Sequence, residues 1–429
     1  MPTSLPKVMK ILKYLYLWSL LLSSIVSGRT ENWPCFRGSG HQGICQETGL
    51  PLHWNATSNV LWKTEIPGES WSSPIVWGDR VFLTTATDGG ASCRILSLEA
   101  RSGKVIWNQE VLKQKTGHKQ GRNTYATPTP GTDGQRVYAV FGDGSFVAVD
   151  FQGATTWVNR DLPFYGEHGL ATSPILWRDQ LIMARDGSNE SDPKSLGWQQ
   201  PWDKGFVVAL DTKTGQVRWK TGRGQSRIGH VSPNIFTNAA GEAEIISSAG
   251  DVVQGFAAKT GKLLWSSKNT GEGVVPSVVL GRNLAFVASG WGGRESIKAF
   301  KLGGRGDLIE SNLAWEQKKG MPKVPSYLFV KSWLFVIGDN GVVMCLQAET
   351  GETVWQERLG GSFSASPVAA EGRIYLTADS GDTTVIEAGP EFRVLASNPI
   401  SERVQASLAL SGGRLYLRSA QNLYCIGNE

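Results

Sequence analysis

The sequence predicts an all-β fold: an eight-bladed β-propeller of four-stranded antiparallel blades, closed by an N-terminal strand completing the C-terminal blade. Three observations carry this. First, one phrase recurs: "SLEARSGKVIW" (Ser97–Trp107), "ALDTKTGQVRW" (Ala209–Trp219), "GFAAKTGKLLW" (Gly255–Trp265) and "CLQAETGETVW" (Cys345–Trp355). Second, tryptophans at 62, 107, 157, 219, 265, 315 and 355 end units 40 to 62 residues apart, a period typical of propellers and solenoids. Third, the chain is poor in charge (19%) and rich in Gly (51) and Trp (17), and "GRIYLTA" and "QVRWK" alternate with the period of strands.

Each unit reads as four short strands, A to D. Strand A follows Ser/Thr-Pro, as in "WSSPIVW" from Trp71, "ATSPILW" from Ala171 and "SASPVAA" from Ser364. Proline is tolerated at the first position of a strand, where its missing N–H breaks no ladder. Looser copies begin at Ala126, His230, Val275, Val324 and Gln405. A Gly/Asp turn leads to an apolar strand B, and a second turn leads to strand C, which ends near "ALD". The "TG" step then turns the chain into strand D, because glycine accepts positive φ. A four-stranded sheet cannot bury both faces alone, and radial stacking covers each blade with the next. A closing indole laid on the neighbouring blade would contribute at most about 4–6 kcal/mol.

Six units end at Trp107 to Trp355, and a seventh ends in "RVLAS" (Arg393–Ser397). The eighth, Val404–Gly427, holds only three strands. "NVLWKT" (Asn59–Thr64) is a Trp strand with no unit before it. Joining these two halves closes a ring and removes the open edges. An open solenoid would leave both halves unpartnered.

The chain divides into a signal peptide (1–28), an N-terminal extension (29–58) and the propeller (59–429). The first 28 residues carry Lys7, Lys10 and Lys13, no acid, an apolar run Tyr14–Val26 and then Ser27 and Gly28, the pattern of an export signal. The run is short for a membrane span, so the mature chain is expected to have no integral membrane domain and to be periplasmic or extracellular. Beyond this segment acidic and basic residues nearly balance, which gives no basis for nucleic-acid binding. Cys35 and Cys45 bracket a short loop and could pair in an exported chain. Cys345 and Cys425 fall in apolar strands, and five cysteines leave at least one thiol free.

Strand direction places the B–C and D–A loops on one face, and this is the candidate binding face. Its longest insertion, Asp186–Gly205, carries Asp186, Trp198 and Trp202. His118, His168 and His230 precede strand A of blades 2, 3 and 4 and approach the rim from adjacent blades. The B–C turns add Asp143, Asp251, Asp339 and Asp379, residues that also serve simply as turn formers. "KQKTGHKQGR" (Lys113–Arg122) is a basic D–A loop.

"ALDTKTGQVRW" and its copies resemble the pyrroloquinoline-quinone-like (PQQ-like) repeat of quinoprotein dehydrogenases, which also occurs in BamB-like outer-membrane assembly proteins. "NWPCFRGSGHQGICQETGLPLHW", "NTYATPTPGTDGQRVYAVFGDG", "EHGLATSP" and "AGPEFRVLASNPISERVQASLAL" resemble an exported bacterial group of PQQ-like propellers. The resemblance runs from Asn32 to Gly427. It implies the fold far more than the function. The dehydrogenases use an adjacent Cys–Cys pair, a calcium site of Glu and Asn, an Asp base and a Trp platform. No two cysteines are adjacent here, and no position matches the calcium ligands or the base.

No catalytic, cofactor-binding or metal residue is therefore assigned, and no cofactor is expected; PQQ with calcium is the alternative. HExxH, CxxC, Walker and GxSxG motifs are absent. Gly38, Gly40 and Gly43 spell GxGxxG without the preceding strand and following helix that a dinucleotide loop needs. The expected function is a non-catalytic exported binding or scaffolding module for a protein or polysaccharide at the cell envelope. The alternatives are a BamB-like outer-membrane protein assembly factor and a PQQ/calcium-dependent alcohol or sugar dehydrogenase.

Overall fold

The computed structural model describes Met1 and residues 31–428, except 191–195, 293–294, 308–310 and 319. The segment read as a signal peptide lies outside the described residues. No described helix is long and apolar enough to cross a membrane.

Eight separate sheets form, one per blade. In blade 1 strand A is Ile75–Trp77, B is Arg80–Thr87, C is Ser92–Glu99 and D is Val105–Lys113, each antiparallel to the one before. The A strands of neighbouring blades approach one another, which sets them around the axis. Blade 8 contains Ala409–Ser411, Arg414–Arg418 and Asn422–Gly427. Its outer strand is Val60–Glu65, with Trp62 opposite Cys425 and Lys63 opposite Tyr424. Glu402 secures this join by accepting from Lys63 Nζ (2.7 Å), Ser419 Oγ, Tyr424 Oη and Asn422 Nδ2.

Burial follows from the stacking. Strand C is covered on both faces, so Val207, Val208, Ala209 and Leu210 are all fully buried. Each core cluster mixes residues of adjacent blades, as where Phe82 and Ile95 of blade 1 meet Val137 and Val149 of blade 2. Strand D is the exposed edge. In all eight blades its register against strand C slips by one residue beside the closing Trp or its counterpart. A bulge at that point twists an edge strand and spoils it as a template for pairing.

The indoles meet the next blade at its "TG" glycine. A Cβ on Gly103, Gly153, Gly215, Gly261 or Gly351 would lie 2.3–3.0 Å from Trp62, Trp107, Trp157, Trp219 or Trp315 respectively. Trp62, Trp107, Trp157 and Trp315 also donate Nε1–H to backbone carbonyls of the following blade, at Ala100, Phe151, Thr212 and Ala348. Trp265 departs from this. The C–D connection of blade 5 has no "TG" turn, and its Gly306–Asp307 pairs in parallel with Leu263–Lys268, making blade 4 five-stranded. Trp265 instead turns onto its own blade, against Gly255, and faces Glu244.

The extension runs across the axis on the face opposite the B–C loops. Trp33 bridges Val76 of blade 1, Pro34 accepts from Thr132 of blade 2, Gln42 bonds Leu280 of blade 5 and Cys45 bonds Ala369 of blade 7. This course corrects the reading that Cys35 and Cys45 could pair. Cys35 lies beside Gly131 of blade 2, with its thiol toward the Gly38 carbonyl, whereas Cys45 lies on blade 7 with its thiol toward Glu31. Both are free and buried, because the chain between them spans the ring instead of turning back.

Arg37 sits in the middle of this crossing. It is 1% exposed, and it donates to the carbonyls of Gln42 (2.8 Å), Tyr327 and Pro367. Burial draws its pKa down to about 9.

Candidate functional site

On the B–C/D–A face the axis opens into a cavity of about 760 Å³, a size suited to a small or oligomeric ligand. Phe36 is the one described residue of the extension that lines it, so the crossing segment floors it. Its waist is made by the residue two positions before strand A in every blade: Ser73, Thr129, Ser173, Ser232, Ser277, Ser326, Ser366 and Ser407. The backbone N–H of one bonds the hydroxyl of the next at 2.9–3.0 Å. Seven links of the ring are made, including Ser407 to Ser73, where it closes. The hydroxyl thus supplies an acceptor for a backbone N–H at the entry to an axial strand, and no described hydrogen bond uses its own O–H as donor.

Above the waist the wall is mixed. Trp71, Trp198 and Trp291 contribute indoles, Arg122 and Arg403 guanidinium groups, and Glu272, Asp339 and Asp379 carboxylates. Arg403 lies over the Trp71 ring at 5.1 Å, a cation–π contact. Lys323 covers Trp291 at 4.5 Å. The B–C carboxylates split into two groups. Asp143 pairs with Arg160, Asp186 with Arg223 and Asp251 with Arg227. Asp339 and Asp379 form no ion pair among the described residues and face the mouth. Lys323 N–H and Ser364 Oγ donate to their Oδ2 atoms, and Asp379 Oδ1 is buried without a hydrogen-bond partner among the described residues. Burial raises the Asp339 pKa against the hydrogen bond from Lys323.

The structure brings together only some of the residues singled out in the sequence. His168 and His230 line the mouth with rings 5.6 Å apart, edge to face, and His168 meets Trp198 at 4.9 Å. Burial lowers the pKa of both, His230 to about 3. His118 stands apart, half exposed and 3.3 Å from Glu167. Asp186 is buried at the base of the blade 3 insertion and holds Arg223 at 2.7 Å. Burial raises its pKa, opposed by that guanidinium. Trp202 bridges Ser226 and does not line the mouth. Among the described residues no group of His, Cys, Asp and Glu is placed to hold a metal ion.

Sequence reasoning missed the hydroxyl ring, although its signal stood in all eight Ser/Thr positions and not only in the prolines. It also missed Trp71, Trp291 and Arg403. Each is one residue of an irregular loop, and only closure of the ring aims it at the axis.

These features define a closed eight-bladed propeller with one axial cavity, floored by its own N-terminal extension. The chain belongs to the family described as outer membrane protein assembly factor BamB, which it matches over residues 39–160, 201–300 and 293–422. It is 26% identical over 204 residues to the outer membrane protein assembly factor BamB of Yersinia pestis, covering 43% of this chain and 50% of that one. It is 24% identical over 174 residues to methanol dehydrogenase [cytochrome c] subunit 1 of Paracoccus denitrificans, covering 39% of this chain and 24% of that one. The chain thus spans a quarter to a half of the length of these curated relatives. The crystal structure of BamB from Moraxella catarrhalis superposes with a TM-score of 0.59 at 14% identity, covering 86% of this chain and 97% of that one. That likeness carries the fold.

Proposed function

We propose that this chain is a non-catalytic binding propeller of the cell envelope, holding a protein or polysaccharide partner in the axial mouth. The observation that carries this reading is the blind cavity: three indoles, two guanidinium groups and two aspartates, these four charged groups without an ion pair among the described residues, converge on it. Export and an envelope location are supported by the N-terminal pattern and by the name of the BamB relative.

The dehydrogenase relative raises the PQQ and calcium alternative. The residues do not fit it. None of the five cysteines lines the mouth, and each is isolated and buried in a blade or in the extension. Glu272 and Asn123 line the cavity, but no ligand set for a metal forms among the described residues.

The test immobilises the mature chain and passes an envelope extract containing protein and polysaccharide over it. Retention of a partner that is lost in Trp291→Ala, at unchanged melting temperature, is expected. Stoichiometric PQQ binding with calcium-dependent dye reduction would overturn the non-catalytic reading.

A further inference from the structure

The chemistry of the mouth restricts what can fill it. Arg122, Trp71 and Arg403 precede strand A of blades 2, 1 and 8, so they occupy one continuous sector. Neither arginine forms an ion pair among the described residues, whereas Asp143, Asp186 and Asp251 each engage an arginine elsewhere. Two guanidinium groups without an ion pair among the described residues, one of them over the Trp71 indole at 5.1 Å, line one sector of the mouth and suit a carboxylate beside a flat apolar face.

Below them lies the hydroxyl ring. Seven of its oxygens already accept an N–H, and none of the eight hydroxyls donates to a protein acceptor among the described hydrogen bonds. The waist therefore offers donors and asks for a ligand dense in acceptor oxygens. On the blade 6 and 7 side the need is reversed: Asp339 and the unpartnered Asp379 Oδ1 ask for donors.

A carboxylate, closely spaced hydroxyls that both donate and accept, and an apolar ring face occur together in a sugar acid. An acidic peptide offers the carboxylate but few hydroxyls to meet the serine ring and Asp379. We propose that the mouth binds an oligosaccharide through a uronic-acid residue. Its carboxylate lies between Arg122 and Arg403, its ring on Trp71, and its hydroxyls reach the serine ring and Asp379. This rests on the binding reading above and gives it a ligand class.

Titration calorimetry of the mature chain with trigalacturonate is the test, run beside a neutral trisaccharide of equal length, triglutamate and PQQ. Saturable binding of trigalacturonate, at least tenfold tighter than the neutral sugar and weakened by salt, is expected. The Arg122→Gln, Arg403→Gln double variant should lose tenfold or more at unchanged melting temperature, since both side chains are exposed. Equal binding of the neutral sugar, tighter binding of triglutamate or PQQ, or no response to trigalacturonate would overturn the assignment. If trigalacturonate fails while envelope-partner retention still depends on Trp291, only the ligand class falls. If both fail, the binding reading falls as well.

Discussion

If the closing indoles hold blade against blade, an alanine at the glycine beneath one of them should cost more than its backbone strain. Gly215 and Gly372 allow that comparison, because both have φ of +72°. A Cβ on Gly372 meets nothing within 4 Å, whereas a Cβ on Gly215 would lie 2.5 Å from Trp157 Cε3 and 2.6 Å from Cδ2. Both alanines bear the left-handed cost, about 1–2 kcal/mol. At Gly215 the indole must also retreat by roughly 1 Å to reach ordinary van der Waals separation. Trp157 is 8% exposed and tethered by Nε1–H to Thr212 O at 2.9 Å, so this is overpacking, worth about 1–3 kcal/mol more. Chemical denaturation followed by tryptophan fluorescence should place Gly215→Ala below Gly372→Ala by that difference. In a Trp157→Ala background the excess should shrink toward zero. Equal losses for the two glycine variants would refute the idea that these indoles lock the blades.

Four further outcomes follow from the same geometry. Burial alone would raise the Glu402 pKa, but hydrogen bonds from Lys63, Ser419, Tyr424 and Asn422 outweigh it and bring the carboxyl to about 2. Its stabilisation is complete above the ordinary value of 4.5 and is lost as pH falls toward 2. Glu402→Gln should therefore cost about 1–2 kcal/mol at pH 7 after allowance for screening and nothing near pH 2, measured by denaturation midpoints. His230, held near 3 by burial, leaves the unfolded chain binding the extra proton between about 6.5 and 3. Stability should fall with pH across that window, and His230→Gln should flatten the fall in a pH series of melting curves. Ser366→Ala removes the acceptor for the Ser326 N–H and should lower stability by about 1–3 kcal/mol in urea titrations, while Ser366→Thr, the residue blade 2 uses, should cost much less. Reductant should leave the melting temperature unchanged, and burial, which pushes the Cys35 and Cys45 thiols up to about 12, should confine alkylation to the unfolded chain, as read by mass spectrometry.

The sequence by itself determined the repeat. Period-two strands, "TG" turns and evenly spaced tryptophans are local features, and their count left one strand over at each end, so eight blades and the pairing of Val60–Glu65 with Asn422–Gly427 could be read without coordinates. The Ser/Thr before strand A was equally visible, but its meaning was not. A hydroxyl bonds its neighbour's N–H only once eight blades set those residues side by side. Tertiary structure alone decided which loop residues share the mouth, because Trp71, Trp291, Arg122, Arg403, Asp339 and Asp379 are far apart in the chain and belong to loops without periodicity. It also separated Cys35 from Cys45, whose closeness in sequence suggested a bond. The segment between them is stretched across the ring by contacts with blades 2, 5 and 7, and those contacts do not exist until the ring has closed.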